Sequence, residues 1–148
     1  MSTVSAAVPI PDSHLDLLTR PVHGVLTTIG LDGHLQSSLV WVDVHDGAAT
    51  VNTTLERQKG RNMLANPKVS LLLVDPDNTS RYLHIRGDVE LAGDGAVEHL
   101  DALTRAYTRH PAFYGHVYPE DQRARETRVI CRIHPRQVTL DAVHLHDH

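Results

Sequence analysis

Apolar and polar positions along this 148-residue chain fall into short runs separated by turn residues at close intervals. Residues 1–11 are small and proline-containing, which predicts a disordered start. Asp12 or Ser13 can cap a short helix whose apolar side is Leu15, Leu17 and Leu18. Val22 to Ile29 reads as a strand and Asp32-Gly33 as a hairpin turn. Gln36 to Val44 reads as one continuous second strand, Asp46-Gly47 as a turn, and Ala49 to Asn52 as a third strand. A helix follows Arg57 and stops at Asn66, because Pro67 disfavours helical geometry in the residue before it. Val69 to Val74 is apolar enough to predict a strand buried on both faces. Asp75-Pro76-Asp77-Asn78 is turn chemistry. Tyr82 to Leu91 alternates, with a bulge or close approach expected at Gly87. Val97, Leu100, Leu103 and Tyr107 share one face of a helix from Gly95 to Arg109. His110 to Glu126 reads as loop with a short helix, and Arg128 to Leu140 as a strand pair interrupted near Pro135. Together these predict one mostly-β domain over residues 12–140, a small antiparallel β-barrel decorated by helices, with a histidine-rich tail at 141–148.

The segment Thr53 to Met63 departs from local rules. Arg57, Lys59 and Arg61 stand at or near a helix N-terminus, where unpaired N–H groups already place about half a positive charge. An anion resolves that conflict: a phosphate held by helix N–H groups, the cations and the hydroxyls of Thr53 and Thr54. The competing reading is a solvated helix start with scattered charges.

Composition narrows the classes. A net charge of -4 argues against broad nucleic-acid binding, which uses a basic face. No apolar run is long enough to span a bilayer, and the first residues lack a signal-peptide pattern, so a cytoplasmic protein is expected. The lone Cys131 sits in an apolar run and reads as a core residue.

Several motifs in order resemble the split-barrel flavin and deazaflavin oxidoreductases related to pyridoxamine phosphate oxidase. They are Asp32 to Ser38, Thr53-Thr54 followed by Arg57-Gln58-Lys59 and Arg61-Asn62-Met63, Asn66 to Leu71, and Tyr82 to Val89. The closing run Arg128 to Val138 is similar to the actinobacterial branch that uses the deazaflavin coenzyme F420. The resemblance spans roughly Leu17 to Val138. It implies an FMN-binding-like split β-barrel with a Greek-key arrangement, a homodimer, and a cofactor site at the dimer interface. It implies that Arg57, Lys59 and Asn62, with Arg61 beside them, hold the cofactor's phosphate and anionic tail. Thr53 and Thr54 would lie beside the ribityl chain, and Gln36 and Ser38 would face the ring system. Ser80 to His84 would complete the site from the other subunit. The implied activity is hydride transfer between reduced F420 and an unsaturated or quinone-like small molecule. FMN is the alternative cofactor, and a cofactor-binding protein without efficient turnover the alternative role. The extended C-terminal region of pyridoxamine phosphate oxidases is not matched here, which argues against that activity.

Other residues carry weaker signals. His84 and Tyr82 are candidate proton donors if they face the ring. Trp41 and Tyr82 can stack on a ring or fill the core. Tyr107, Phe113, Tyr114 and Tyr118 either wall a substrate pocket or cover the barrel end. Of the 12 histidines, His144, His146 and His148 alternate at the C-terminus, and a solvated tail is favoured over a metal site there. His23, His34 and His45 have no metal-ligand spacing and read as surface residues.

Overall fold

The alternating runs become seven strands among residues 7–141, the part of the chain described by the computed structural model. They are β1 (Gly24–Ile29), β2 (Leu35–Val40), β3 (Asp43–His45), β4 (Ala48–Thr54), β5 (Lys68–Val74), β6 (Tyr82–Ala92) and β7 (Arg128–Leu140). Their order is β2-β1-β5-β6-β7-β4-β3, and every pairing is antiparallel. The helices are α1 (Asp16–Thr19), α2 (Gln58–Ala65) and α3 (Ala96–Tyr107).

This order forces closure. β2 and β3 are opposite edges of the sheet, yet only Trp41 and Val42 separate them in the chain. A flat sheet of seven strands would be about 29 Å wide at the usual interstrand spacing. The three Cα steps from Val40 to Asp43 reach at most about 11 Å. The sheet must therefore curl until its edges meet, giving the split barrel. The run read as one strand from Gln36 to Val44 is thus two strands with a corner between them. Its unbroken apolar character hid the corner.

Tyr107 satisfies the backbone at that corner. Its hydroxyl accepts from the Val42 N–H at 2.9 Å and lies within donating distance of the Val22 carbonyl, at 2.7 Å, and the Val42 carbonyl, at 3.0 Å. Trp41 stacks on the same ring with centroids 5.5 Å apart. The C-terminal turn of α3 therefore clamps the barrel seam.

The interior is filled by inward positions of every long strand, among them Leu26, Val51, Leu71, Leu83, Ile85 and Ile133, with Leu17 and Leu18 of α1 and Met63 of α2. Cys131 belongs to this core, and burial pushes its thiol pKa up to about 12, as a structural cysteine requires. β5 is buried on one face only; Ser70, Leu72 and Val74 are half-exposed. The N-terminal expectation is modified where the structure describes it, since Ile10 packs on the core and the Val8 N–H donates to the Pro135 carbonyl at 2.9 Å.

The bulge lies where glycine predicted it. The register of β6 and β7 shifts between Arg86 and Gly87, and Arg136 is the extra residue. A Cβ at Gly87 would lie 2.4 Å from the His134 carbonyl oxygen, so the strands approach this closely only because residue 87 has no side chain. Pro135 does not break β7 into a pair. Pairing with β4 ends at Ile133, so Pro135 has a strand on one side only, a position where its missing N–H is tolerated. The turn at Asp46-Gly47 has positive φ at both residues, 53° and 77°, as a tight hairpin needs. No helix among the described residues is long and apolar enough to cross a membrane.

Removing the hydroxyl in Tyr107→Phe leaves the Val42 N–H and the Val22 carbonyl without this partner, and should cost about 1–3 kcal/mol of stability. Urea unfolding measures it; a wild-type midpoint would mean that the corner holds without the clamp.

Candidate functional site

The start of α2 is built to carry cations into a hollow beside the barrel seam. Thr54 is fully buried, and its hydroxyl accepts from the Arg57 N–H at 3.1 Å, setting the first turn. Gly60 then crosses the Thr54 carbonyl so closely that a Cβ would lie 2.0 Å from the oxygen. The helix therefore seats directly on the end of β4. Lys59 reaches back from it and donates to the Ser38 hydroxyl at 2.8 Å. Burial pushes the Lys59 ammonium below its usual pKa, and the charge of Arg57 adds to the effect. Neither Lys59 nor Arg57 has a carboxylate partner among the described residues.

A third cation enters from β7. Arg128 is buried, and each face of its fork is fixed: Nε donates to the Tyr114 hydroxyl at 2.9 Å, one terminal nitrogen to Glu126 at 3.1 Å and the other to Asn52 Oδ1 at 3.3 Å. Its guanidinium lies over the Phe113 ring, 4.9 Å from the centroid. Arg57, Lys59 and Arg128 line one hollow with Asn52 and Thr53, walled on its apolar side by Trp41, Phe113 and Leu100. The Thr53 hydroxyl is buried there without a hydrogen-bond partner. Three converging cations, one carboxylate, an orphan hydroxyl and an aromatic wall suit an anionic ligand with a flat ring.

Of the residues expected in the site, the structure gathers Thr53, Arg57 and Lys59 at this hollow, with Ser38 joined through Lys59. Thr54 supports it from behind. Three others are turned elsewhere within the protomer. Asn62 is buried between α2 and β1, donating to the Thr28 hydroxyl at 3.0 Å and accepting from Gln58 at 2.7 Å. Arg61 folds back onto the Glu56 carbonyl and Gln58. Gln36 accepts from Thr28 and faces a separate surface hollow with Asn62 and Gln58. Their motif spacing is helical and strand spacing, which fixes an element but not which side chains share a cavity.

His84 and Tyr82 also lie away from the hollow of their own protomer. They occupy the outward positions of β6, where His84 Nε2 is 2.6 Å from the Ser70 hydroxyl and burial and then Arg86 push its pKa down. The late aromatic cluster divides its work: Phe113 walls the hollow, Tyr114 backs Arg128, Tyr118 covers Phe113 at a centroid distance of 5.8 Å, and Tyr107 clamps the seam.

Arg128 and Asn52 escaped the sequence reading as site residues, as did a group behind them. His99 of α3 bridges Asn52 and Asp43: its Nδ1 is 3.1 Å from Asn52 Nδ2, and its Nε2 is 3.0 Å from Asp43 Oδ1. His45, read as a lone surface histidine, meets the other oxygen of Asp43 at 3.1 Å. Donor atoms of Asp43, His45 and His99 fall within 4.8 Å of one another, a span compatible with metal ligation. Asn52 opposes that use. Its Nδ2 donates to the Ala96 carbonyl at 2.8 Å and its Oδ1 accepts from Arg128, so it presents N–H to His99 Nδ1. Neutral His99 therefore carries its proton on Nε2, the nitrogen that would have to bind a metal. The group is a hydrogen-bonded triad. Burial alone would raise the Asp43 pKa, but the hydrogen bonds from His99 and Thr50 outweigh it and hold the carboxyl below its usual range. The tail histidines His144, His146 and His148 lie outside the described residues.

Thr53→Val keeps the shape and removes the orphan hydroxyl. Without added ligand it should leave stability unchanged or raise it by up to about 1 kcal/mol, since an unpaired buried hydroxyl is unfavourable. A thermal midpoint several degrees lower would show that the hydroxyl has a structural partner.

Comparison with known proteins agrees with the fold. The family model of pyridoxamine 5'-phosphate oxidase matches residues 10–141. No curated protein matches the chain significantly. Among solved structures, an F420 reductase is 33% identical, covering 88% of this chain and 98% of its own, with a TM-score of 0.74. A conserved hypothetical protein from Mycobacterium tuberculosis is 25% identical over 95% of this chain and 89% of its own, with a TM-score of 0.68. A putative pyridoxamine 5'-phosphate oxidase from Listeria innocua shares the fold, at 22% identity and a TM-score of 0.63, over 87% of this chain and 95% of its own. With its seven-stranded split barrel and a family match running almost end to end, this chain belongs to the pyridoxamine 5'-phosphate oxidase family.

Proposed function

We propose that the protein is an oxidoreductase that binds coenzyme F420 in the hollow beside α2 and reduces an unsaturated or quinone-like small molecule. The observation that carries this reading is the set of three cations, Arg57, Lys59 and Arg128, converging on a buried, unpartnered Thr53 hydroxyl beside an aromatic wall. Family membership supports an oxidoreductase, and similarity to an F420 reductase favours the deazaflavin over FMN, which remains the second reading.

The residues fit such a cofactor. Lys59, Arg57 and Arg128 would hold its phosphate and anionic tail, and the Thr53 hydroxyl would find its missing partner there. Trp41 and Phe113 offer flat apolar surface. The hydride chemistry is supplied by the cofactor when bound. The protein's part is to fix orientation, neutralise negative charge and keep water from one face of the site. Among the described lining residues of a single protomer's hollow, the groups able to give a proton are His23 and the Lys59 ammonium, whose pKa burial lowers.

A homodimer belongs to the same proposal. Leu39, Val25, Leu72 and His84 are in register across the outer face of β2, β1, β5 and β6, and Leu35 and Leu39 are 70% and 69% exposed. Such an apolar row on an outer sheet face suits a second copy. Dimerisation on this face would let Tyr82 and His84 approach the partner's hollow; Arg81 between them and α1 is already paired with Asp16 and Asp75 of its own chain.

Titrating the purified protein with F420 and with FMN, each followed by fluorescence quenching, should give tight F420 and weak FMN binding; the reverse moves the protein to the FMN reading. Turnover of reduced cofactor with a quinone acceptor then separates an enzyme from a carrier. Lys59→Ala should weaken cofactor binding by about 1–3 kcal/mol with little change in stability, and Thr53→Val should weaken it in the same assay. If Lys59→Ala folds normally and binds like wild type, the site is elsewhere. Leu35→Asp should shift the sedimentation of the protein from dimer to monomer, and a dimer persisting in this variant would exclude that face.

A further inference from the structure

Arg128 is the most deeply fixed cation of the hollow, and its anchors are unequal. Glu126 and Tyr114 hold it from one side; Asn52 alone holds it from β4. Asn52 presents Oδ1 to Arg128 only while its amide keeps one of two orientations. The Ala96 carbonyl favours that orientation, and so does a lone pair on His99 Nδ1. The lone pair exists because Asp43 takes the Nε2 proton of His99 as a hydrogen bond, at 3.0 Å. A continuous chain therefore runs Asp43, His99, Asn52, Arg128, from a half-exposed carboxylate to the wall of the hollow. His99 is itself buried, with its side chain 7% exposed.

We propose that His99, oriented by Asp43, is a positioning residue for ligand binding: its unprotonated Nδ1 fixes the Asn52 amide and, through it, the Arg128 guanidinium that meets the anion. This rests on the reading of the hollow as the cofactor's anion site. A second proton on His99 would place an N–H at Nδ1, opposite the N–H of Asn52. The amide would then have to turn, losing the Ala96 carbonyl and directing Nδ2 at Arg128. Acidification should therefore loosen the hold on an anion. The sign is diagnostic, because an extra positive charge acting through space would tighten it. The charged and titratable groups around His99 are Asp43, His45 and Asp46 from β3 and its turn, Glu98 from α3, and Arg132 from β7, with Arg128 beyond Asn52. His45 is a second histidine on the same Asp43 carboxylate, so it needs its own control.

The test measures Kd for F420 and for FMN between about pH 5.5 and 8.5, the range in which an ordinary histidine titrates. Wild type, His99→Gln, His45→Gln and Lys59→Ala are compared, so that the cofactor's own titration cancels. Wild type should lose roughly tenfold more affinity on acidification than His99→Gln, the worth of one hydrogen bond to a charged group. His45→Gln should follow wild type. A wild-type to His99→Gln ratio that does not change with pH overturns the proposal, as does a pH step that disappears in His45→Gln. Lys59→Ala should be weaker at every pH by a constant factor; a Lys59→Ala that binds like wild type would instead defeat the site assignment, leaving the His99 comparison to be judged separately. A second measurement needs no cofactor. Nitrogen-15 NMR of the wild-type protein should find His99 as the Nε2–H tautomer at neutral pH, with the Arg128 Nε resonance moving in step as His99 titrates. An Nδ1–H tautomer, or an Arg128 signal indifferent to that titration, overturns the proposal even if neither cofactor binds.

Discussion

Everything in this molecule hangs on a corner of two residues. Trp41 and Val42 carry the chain from one edge of a seven-stranded sheet to the other, and no flat sheet allows so short a path. A corner leaves backbone groups that neither strand can pair. The Tyr107 hydroxyl answers several of them at once, and this ties the end of α3 to the seam. Once α3 is held there, its other end lies over β4 and β7. His99 and Leu100 then stand behind and beside the hollow. The seam, the helix and the site are one mechanical unit.

The electrostatics of the site run against the stability of the protein in isolation. Lys59 is half-buried beside Arg57, and its depressed pKa records that burial and repulsion. The Thr53 hydroxyl is sealed from solvent with nothing to bond. An anion in the hollow would relieve the repulsion between the two cations.

That logic also marks what the sequence could convey. The cations at the head of α2 were visible because they contradict the helix dipole at short range, and the bulge because Gly87 stands alone in an alternating strand. Arg128, Asn52 and His99 gave no such sign. They come from β7, β4 and α3, far apart in the chain, and only the β4–β7 register and the placement of α3 bring them together. The corner at Trp41–Val42 was invisible for a related reason: its residues are apolar on both sides, so periodicity does not register the turn. Pro135 misled in the opposite direction. It suggested a break because a central strand would not accept it, whereas β7 has already lost one neighbour at that point. Asn62, Arg61 and Gln36 show the remaining gap, since motif position names an element while the cavity is chosen by side-chain direction.

β7 pairs with β6 along one side and β4 along the other, and it is the last strand of the described chain. As the chain leaves a ribosome, β1, β2, β5 and β6 can form an early four-stranded sheet while β3 and β4 form a separate hairpin. Until residues 128–140 emerge, β4 and β6 each present an open edge to the cell. The order of synthesis therefore assigns this protein a vulnerable interval before closure, and makes the arrival of β7 the step at which a nascent chain stops being a template for association with its neighbours.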